Sequence, residues 1–455
     1  MTTDQNLPLK KILPLSSSTT IDGTLTIGDC STRDLADKFG TPLYIYDAKT
    51  LRSQASEYIK AFNAKWPYGV EIHYASKAWI NVPMAQFLAG EGLSFDVVSG
   101  GEMAVLRVAG VDVSHSAFHG NNKTADELRE ALENKFGQIV INSVDEIDLL
   151  DSISADLGII PRVLLRISPS VDAHTHAATT TGLVDSKFGV AIENNEAYNA
   201  CIKINEANHL DFRGIHMHLG SPIFGLEPYI AGVKVGAQLI KQLSDIGILI
   251  SDFSPGGGFA VAYTDSDNPP APSAYASAIC ETLAEQADLL SFPPPRLIIE
   301  PGRSLVARAG VALYSVGSRK EIPGIRTYVA VDGGMSDNIR PAIYGSKYEV
   351  MAAERPFDPA QETVTIAGKF CESGDVLARD VKLPILKRDE LVAIPAAGAY
   401  QLAMESNYNL ALKPAVIMVE DGKAYVIRRR ETYDDLTSLD VTNQIGPLIS
   451  STESP

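Results

Sequence analysis

Eight short apolar runs alternate with amphipathic helical patterns between residues 70 and 300, and this alternation constrains the fold most strongly. Strand–helix repetition predicts a parallel sheet with its connections packed outside it. Eight such units favour a closed (β/α)8 TIM barrel, while an open doubly wound sheet is the alternative that counting leaves open. The predicted strands are "VEIHYA" (70–75), "LSFDVV" (93–98), "SHSAFH" (114–119), "QIVIN" (138–142), "RVLLRI" (162–167), "RGIHMH" (213–218), "ISDFSP" (250–255) and "RLIIE" (296–300).

Two of the helical patterns begin with a recognisable start signal. Thr124 with Glu127 and Ser143 with Glu146 both match the S/T-x-x-E capping box, and each stands before an apolar periodicity. We therefore expect helices to begin at both places.

The C-terminal third has a different pattern, with apolar runs and few helical segments between them. The runs are "ALYSVG", "TYVAVDGG", "ETVTIAGKF", "ELVAIPAAG" and "AVIMVEDGKAYVIRRR", and Asp421-Gly422 in the last predicts a hairpin turn. "GTLTIG" and "PLYIY" near the N-terminus add strand candidates. We predict an N-terminal arm and strand (1–47) that joins a β domain, a barrel (48–310), and a C-terminal β-barrel or sandwich domain (311–455).

Composition excludes several classes of function. The formal net charge of −17 argues against nucleic-acid binding, which needs a basic face, but allows a local positive pocket for a small anion. The four cysteines have no CxxC spacing, so neither a zinc site nor a disulfide framework is expected. No apolar run reaches the roughly 18 residues of a membrane span, and the N-terminal segment lacks the apolar h-region of a secretory signal. We expect a cytoplasmic protein without a metal.

Chemically capable residues follow the predicted strands in order. Lys77 follows the first strand, Asp96 lies in the second, His119 ends the third, Arg166 lies in the fifth, and His216 and His218 share one face of the sixth. Gly256–Gly258 follow the seventh strand, and Glu300 to Arg303 end the eighth. Barrel enzymes place their chemistry on these loops and often hold phosphate after strands seven and eight.

This set of groups suits one cofactor. Pyridoxal phosphate needs an amine for a Schiff base, a partner for its ring nitrogen, a phosphate cradle and a stacking side chain. A strand-end lysine reaching solvent, a satisfied core histidine and a barrel-end salt bridge are the ordinary alternatives for Lys77, His218 and Glu300 taken singly. Their joint occurrence in barrel order favours the cofactor.

The motifs "YASKA", "FDVVSGGE", "HGNNK", "HMHLGS", "GGG" and "EPGR" resemble the alanine racemase-like, fold-type III pyridoxal-phosphate decarboxylases of basic amino acids. Within that group, "VDAHTH", "TTTGLVDSKFG", "MSDNIRPAIY", "CESGD" and "GAY" followed by "SNYN" resemble the diaminopimelate decarboxylase family. The resemblance covers residues 40–445. It implies a carboxy-lyase that converts meso-2,6-diaminopimelate to L-lysine and carbon dioxide, the last step of lysine biosynthesis.

The resemblance also implies roles for individual residues. Lys77 would carry the cofactor, His218 would stack on its ring and Glu300 would pair with the ring nitrogen, which favours decarboxylation over racemisation. The implied cofactor-binding residues also include Asp96, Arg166, Ser221, Gly256, Gly257, Gly258, Gly302, Arg303 and Tyr400.

The implied substrate-binding residues are Arg303, Arg340, Tyr344, Glu372 and Tyr400. An arginine fork suits the distal carboxylate and Glu372 suits the ammonium. Cys371 would be the proton donor, so the implied catalytic set is Lys77, Cys371, His218 and Glu300. Cys371 and Glu372 would come from a neighbouring subunit, which implies a homodimer with shared active sites.

The sequence departs from the family pattern at three places, which are Trp79, the "HLGSPI" segment and Lys369. None of these departures removes a catalytic group. Two alternatives stay open. One is a decarboxylase acting on another basic amino acid or on a carboxylated polyamine, which Arg340 disfavours because ornithine and arginine have no distal carboxylate. The other is a cofactor-carrying regulatory protein without catalysis, which the β domain with Cys371 and Glu372 disfavours.

Overall fold

The computed structural model describes residues 7–171 and 187–441. The chain opens with a small N-terminal unit that leads into a single longer strand. Its elements are β1 (Ser18–Thr19), β2 (Leu25–Ile27), β3 (Cys30–Ser31), α1 (Thr32–Phe39) and β4 (Leu43–Asp47).

A closed ring of eight parallel strands follows. The strands are β5 (Val70–Ala75), β6 (Ser94–Val97), β7 (Ala117–Phe118), β8 (Gln138–Ile141), β9 (Arg162–Ser168), β11 (Asp211–Met217), β12 (Asp252–Gly256) and β13 (Arg296–Ile299), with a short β10 (Val190–Ala191) paired to β9. Each strand pairs with the next, and β13 pairs with β5, which closes the ring. All eight predicted strands are confirmed, and closure excludes the open sheet.

Helices surround this ring. They are α2 (Ala48–Lys65), α3 (Val82–Gly90), α4 (Gly100–Ala109), α5 (Ala125–Glu133), α6 (Val144–Leu157), α7 (Glu196–Glu206), α8 (Glu227–Asp245), α9 (Pro272–Leu290) and α10 (Arg303–Val306). Because side chains alternate along a strand, the core of the barrel has two layers. Ile139 and Ile141 of β8 belong to the large cluster that includes the helices. Val140 belongs to a small separate cluster with Ala117, Leu164 and Ile298.

The predicted helix starts have different outcomes. Thr124 and Glu127 form the complete capping box before α5. Ser143 precedes α6 as expected, but its side chain caps nothing, so the second box is wrong. Glu146 instead accepts a hydrogen bond from the Asn142 backbone N–H and pairs with the ammonium of Lys123, which draws it away from Ser143.

The β domain follows the barrel. Its elements are β14 (Gly310–Ile322), β15 (Arg326–Val331), α11 (Arg340–Tyr344), β16 (Met351–Ala352), β17 (Glu362–Ala367), β18 (Val376–Leu383), β19 (Leu391–Ile394), β20 (Ala415–Glu420), β21 (Lys423–Arg428) and α12 (Tyr433–Thr437). The long β14 pairs with β15, β19 and β4. β4 also pairs with β20, so a strand from the N-terminal unit lies inside this sheet.

The hairpin prediction at Asp421-Gly422 is confirmed, since these two residues connect the antiparallel β20 and β21 and both have positive φ. Most of the "VDAHTH" and "TTTGLVDSKFG" motifs lies outside the described residues. Within the described ranges, no helix is both long and apolar enough to cross a lipid bilayer.

Candidate active site

The carboxyl ends of the barrel strands surround one cavity. Lys77 lies in a short turn directly after β5, Asp96 near the end of β6, His218 directly after β11 and Glu300 directly after β13. The β domain contributes Tyr400, whose backbone N–H donates to the Ala78 carbonyl at 2.6 Å. The cavity is lined by Ala75, Lys77, Asp96, His218, Ser221, Gly258, Phe259, Glu300, Gly302, Arg303 and Tyr400.

Lys77 is exposed because its side chain lies in the open mouth of the barrel, where it also lines a second cleft beside Glu102. Desolvation by the surrounding protein lowers the pKa of Lys77, but attraction to Asp96, Tyr400 and Glu300 together outweighs this and the pKa is raised. Asp96 is buried, and its Oδ1 has no hydrogen-bond partner among the described residues. Burial raises the pKa of Asp96, with Lys77 opposing it. The amine therefore faces a buried carboxyl group with an unused oxygen.

Glu300 is the centre of a buried polar network on the barrel floor. Its Oε2 lies 3.0 Å from His216 Nε2, and its Oε1 accepts a hydrogen bond of 2.8 Å from the Ser254 hydroxyl. His216 and Ser254 are register partners on adjacent strands, which places both beside Glu300. His119 adds its Nε2 at 3.7 Å from Oε1.

This network keeps Glu300 ionised. Burial alone raises the pKa of Glu300, but His216, His119 and the two hydrogen bonds outweigh burial and hold the pKa well below its usual range. Burial lowers the pKa of both histidines, so they are neutral near pH 7. His119, His216 and Glu300 also offer ligand atoms within 4.8 Å of one another, as a metal site would. Both Glu300 oxygens have partners in His216 and Ser254, whereas His119 Nε2 and His216 Nδ1 have no hydrogen-bond partner among the described residues.

The glycines after β12 allow three chain segments to approach closely. A Cβ on Gly256, whose φ is +78°, would lie 2.3 Å from the Met217 carbonyl oxygen, and a Cβ on Gly257 would lie 2.0 Å from the Glu300 carbonyl oxygen. Neither position has room for a side chain. The Gly257 N–H donates to His218 Nδ1 at 3.3 Å, which orients the imidazole ring in the cavity.

Arg303 is buried at the rim, between this cavity and a larger one. Its Nη1 donates to the Tyr263 hydroxyl at 2.7 Å, and its Nε and Nη2 lie 3.4 Å from the Ser221 hydroxyl oxygen. The guanidinium also lies over the Tyr400 ring, 4.7 Å from its centroid. The larger cavity has a volume of about 630 Å³ and shares Ser221, Arg303 and Tyr400 with the first.

Arg340 and Tyr344 line this larger cavity. The Arg340 Nε donates to the Tyr348 hydroxyl at 2.9 Å and Nη2 to the Ser346 hydroxyl at 3.3 Å. Burial alone lowers the pKa of Arg340, but Tyr263 and Tyr348 outweigh it and the pKa is raised. Among the described residues, neither Arg303 nor Arg340 has a carboxylate partner. Two buried positive charges in one cavity provide a site for anionic groups.

Arg166 reaches the same region from β9, where it is the register partner of His216. Burial lowers the pKa of Arg166 to about 10, partly opposed by Glu300 and Asp96. Its guanidinium lies 4.7 Å from the centroid of the Phe188 ring.

Two predicted site residues lie elsewhere. Cys371 and Glu372 are exposed on the loop between β17 and β18. Cys371 lines a separate cleft with Thr41, Asp332 and Arg430, and neither Cys371 nor Glu372 lines the Lys77 cavity or the Arg340 cavity. One copy of the chain thus brings together the other predicted residues but not these two.

The two unusual side chains also have defined positions. Trp79 is buried and stacks on Tyr46 of β4, with ring centroids 4.9 Å apart, so it packs the barrel against the β domain. Lys369 lines the Cys371 cleft.

Several residues that contribute to the site were not predicted from the sequence. Ser254 had a usable signal, because the period of two within its strand turns it to the same side as the glycines that follow. Tyr263, Tyr348 and Phe188 carry no comparable pattern, since they lie in segments between regular elements.

Comparisons with known proteins agree with this architecture. The family model described as "Pyridoxal-dependent decarboxylase, pyridoxal binding domain" matches residues 48–307. A diaminopimelate decarboxylase from Bacillus subtilis (strain 168) is 44% identical over 425 residues, 93% of this chain and 97% of that protein. One from Synechocystis is 42% identical over 441 residues, 95% of this chain and 93% of that protein. A crystal structure of the M. jannaschii diaminopimelate decarboxylase in co-complex with L-lysine superposes with a TM-score of 0.87 at 33% identity, covering 93% of this chain and 97% of that chain.

Proposed function

The chain belongs to the pyridoxal-dependent decarboxylase family, and on that premise we propose how its residues carry out the reaction of the diaminopimelate decarboxylases. The protein converts meso-2,6-diaminopimelate to L-lysine and carbon dioxide with pyridoxal phosphate as cofactor. The observation that carries the assignment of substrate is the pair of buried guanidinium groups, Arg303 and Arg340, beside the Lys77 cavity. A substrate with a second carboxylate would neutralise this charge.

The residues of the cavity fit this cofactor. Lys77 offers a primary amine, the glycines after β12 leave backbone room that a Cβ would fill, and the Asp96 Oδ1 still lacks a partner. Lys77 would hold the cofactor covalently, and Ser221 with Gly256–Gly258 would hold its phosphate. Bound there, pyridoxal phosphate supplies an aldehyde for the substrate amine and a ring that accepts the electron pair released when carbon dioxide leaves.

The chain's own groups then set the direction of the reaction. Glu300, kept ionised by His216 and Ser254, would hold a proton on the ring nitrogen of the bound cofactor, which would strengthen the ring as an electron acceptor. His218, oriented by the Gly257 N–H, would pack against that ring. Lys77 Nζ is available for proton exchange because it lies in the open mouth of the barrel.

Arg340 and Tyr344 bind the distal end of the substrate in this proposal. Loss of carbon dioxide breaks one C–C bond, and the carbon left behind takes up one proton to give L-lysine. We assign that proton to the Cys371 thiol and the distal ammonium contact to Glu372. Because neither residue lines the cavities of its own chain, a second copy must supply them, and we propose a homodimer with two shared sites.

Mixing two inactive variants tests the shared site. Lys77→Ala and Cys371→Ala each remove one side of the site, and a mixed dimer contains one intact site formed by Lys77 of one chain and Cys371 of the other. Random reassociation of equal amounts would restore about one quarter of the activity of the unmodified protein. No recovery, with mixed dimers verified by differently tagged chains, would exclude sharing.

Two further proposals concern organisation and location. We place domain boundaries near residues 47 and 310, supported by the pairing of β4 inside the β-domain sheet and by the start of β14 at Gly310. We also propose a cytoplasmic location. The support is that all four cysteines are thiols, three of them buried.

The activity is tested by carbon dioxide release from meso-diaminopimelate at saturating pyridoxal phosphate, with ornithine, arginine and lysine in parallel. Release from diaminopimelate with L-lysine as product supports the function. Release mainly from ornithine or arginine would contradict the role of Arg340 in specificity. A bound chromophore without release from any substrate would indicate a non-catalytic protein.

A further inference from the structure

We propose that Asn142 is a positioning residue that holds Arg166 in the active site through Gly189 and Phe188. The inference rests on the proposed function, because its consequence is felt at the cofactor and in catalysis. Asn142 touches neither the Lys77 cavity nor the Arg340 cavity, and no role was predicted for it.

Asn142 joins the loops that follow three neighbouring strands. It stands directly after β8 and is buried. Its Oδ1 accepts a hydrogen bond of 3.0 Å from the Gly189 N–H, on the segment that leads into β10. Its Nδ2 donates to Asn121, on the loop after β7, at 3.2 Å to the side-chain oxygen and 3.4 Å to the carbonyl. One side chain therefore bridges the loop after β7 to the segment paired with β9.

The backbone of Asn142 is itself fixed by a buried ion pair. Its N–H donates to Glu146 Oε2 at 3.0 Å, and Glu146 Oε1 lies 2.6 Å from Lys123 Nζ. Lys123 also donates to the Gly120 carbonyl at 3.1 Å. Removing either partner of a buried ion pair leaves an uncompensated charge, so breaking this arrangement would be strongly destabilising. Hydrogen bonds therefore fix both the main chain of Asn142 and its side-chain amide.

Gly189 passes this constraint to Arg166. Its φ is +74°, and a Cβ there would lie 3.0 Å from the Arg166 carbonyl oxygen, so the segment is pressed against β9. The next residue, Val190, pairs with Ile167. The residue before it, Phe188, places its ring 4.7 Å from the Arg166 guanidinium carbon. The Asn142–Gly189 hydrogen bond therefore sets the position of the ring that covers Arg166.

The position of Arg166 affects the whole site, since its charge acts on Lys77, His216 and His218 as well as on Asp96. If the Phe188 ring moves away, the guanidinium gains room to turn away from the cofactor. Loss of the partly buried Asn142–Gly189 hydrogen bond, which leaves the Gly189 N–H without this partner, would change the equilibrium between these two positions of the guanidinium by about tenfold. We therefore expect the Kd for pyridoxal phosphate to rise about tenfold and the pH dependence of its absorbance to shift.

The test uses Asn142→Leu, which keeps the side-chain size but removes the acceptor, and Asn142→Asp, which keeps an oxygen for the Gly189 N–H. Each cofactor-depleted full chain is titrated with pyridoxal phosphate. The Kd of N142L should be about tenfold above that of the unmodified protein, and the Kd of N142D should lie within about threefold of it. Asn134→Ala is the matched control, because Asn134 Nδ2 also donates to a backbone carbonyl, at the end of α5 and far from this bridge. N134A should leave the Kd unchanged.

A double-mutant cycle separates positioning from general destabilisation. If Asn142 acts through Phe188, Phe188→Leu alone raises the Kd similarly, and N142L adds less than about twofold in that background. An unchanged Kd in N142L, or effects of the two substitutions that simply multiply, would overturn the proposal. If N142L does not fold, an unchanged Kd in F188L overturns it alone. Carbon dioxide release by the unmodified chain, measured in parallel, shows separately whether the proposed function holds.

Discussion

Replacing Arg340 with leucine is the most informative change to the substrate pocket. Of the five N–H groups of this guanidinium, one on Nε serves Tyr348 and one on Nη2 serves Ser346, which leaves two on Nη1 and one on Nη2. A carboxylate that accepts two of these forms two charge-assisted hydrogen bonds of about 1.5–3 kcal/mol each. Their loss amounts to about 3–6 kcal/mol, a fall of about 10²- to 10⁴-fold in kcat/KM for meso-diaminopimelate.

Steady-state carbon dioxide release over a range of substrate concentrations measures this loss. Because Arg340 would contact the end of the substrate that does not react in the proposed site, we expect most of the effect in KM rather than in kcat. Tyr348→Phe removes only the Nε partner and should cost less than about tenfold. Arg355→Leu, which removes an arginine from ion pairs near the surface with Asp358 and Glu390, is the matched control and should change kcat/KM less than about twofold.

Two results would refute the reasoning. A fall of less than about tenfold in R340L would mean that the guanidinium does not bind the distal carboxylate. An equal fall for ornithine, which has no distal carboxylate, would mean that Arg340 shapes the site rather than selecting its substrate.

Three further changes test the site and its scaffold. Gly257→Ala places a Cβ 2.0 Å from the Glu300 carbonyl oxygen, so cofactor binding should be lost in an absorbance titration. Gly90→Ala, at the end of α3 where a Cβ meets nothing within 4 Å, should bind the cofactor normally. Burial raises the Glu71 pKa, but His73, Arg296 and His115 outweigh burial and lower the pKa to about 2. Ionised Glu71 therefore contributes about 3 kcal/mol of stability above its unfolded pKa, which is lost as pH falls from about 4.5 to 2, so Glu71→Gln should reduce stability near neutral pH but not near pH 2. Urea unfolding at pH 7 should therefore separate E71Q from the unmodified protein, and the two should converge near pH 2. Thr124→Ala removes the cap of α5 and should cost about 1 kcal/mol in the same unfolding measurement at pH 7.

The barrel could be predicted from the sequence because its signal is local. Each strand is a short apolar run, and the order of runs along the chain sets their order around the ring, so Lys77, Asp96 and Glu300 could be placed at one end before any contact was known. The turn at Asp421-Gly422 was predictable for the same reason. The β domain was harder, since β18 ("VLARDVKL") carries charges on its exposed positions and was not recognised as a strand.

The contacts that tune the site could not be predicted in this way. Glu300 is held by His216 and Ser254, whose registers depend on how β11 and β12 align. Arg340 is oriented by Tyr348 and Ser346 from an irregular segment, where no periodicity shows which way a side chain points. The Ser143 box failed because a tertiary ion pair with Lys123 competes for Glu146 more strongly than a local cap does.

The position of β4 between β14 and β20 means that this strand is synthesised long before the strands that pair with it. Leu43 pairs with Leu313 on one side and with Ala415 on the other. At about 5–20 residues per second, translation reaches residue 415 roughly 20–75 s after residue 43. The barrel strands and then β14 are made during that interval, but the apolar "LYIY" segment lacks its other partner, β20, until the interval ends. The β-domain sheet can therefore close on both sides of β4 only after residue 415 has been synthesised.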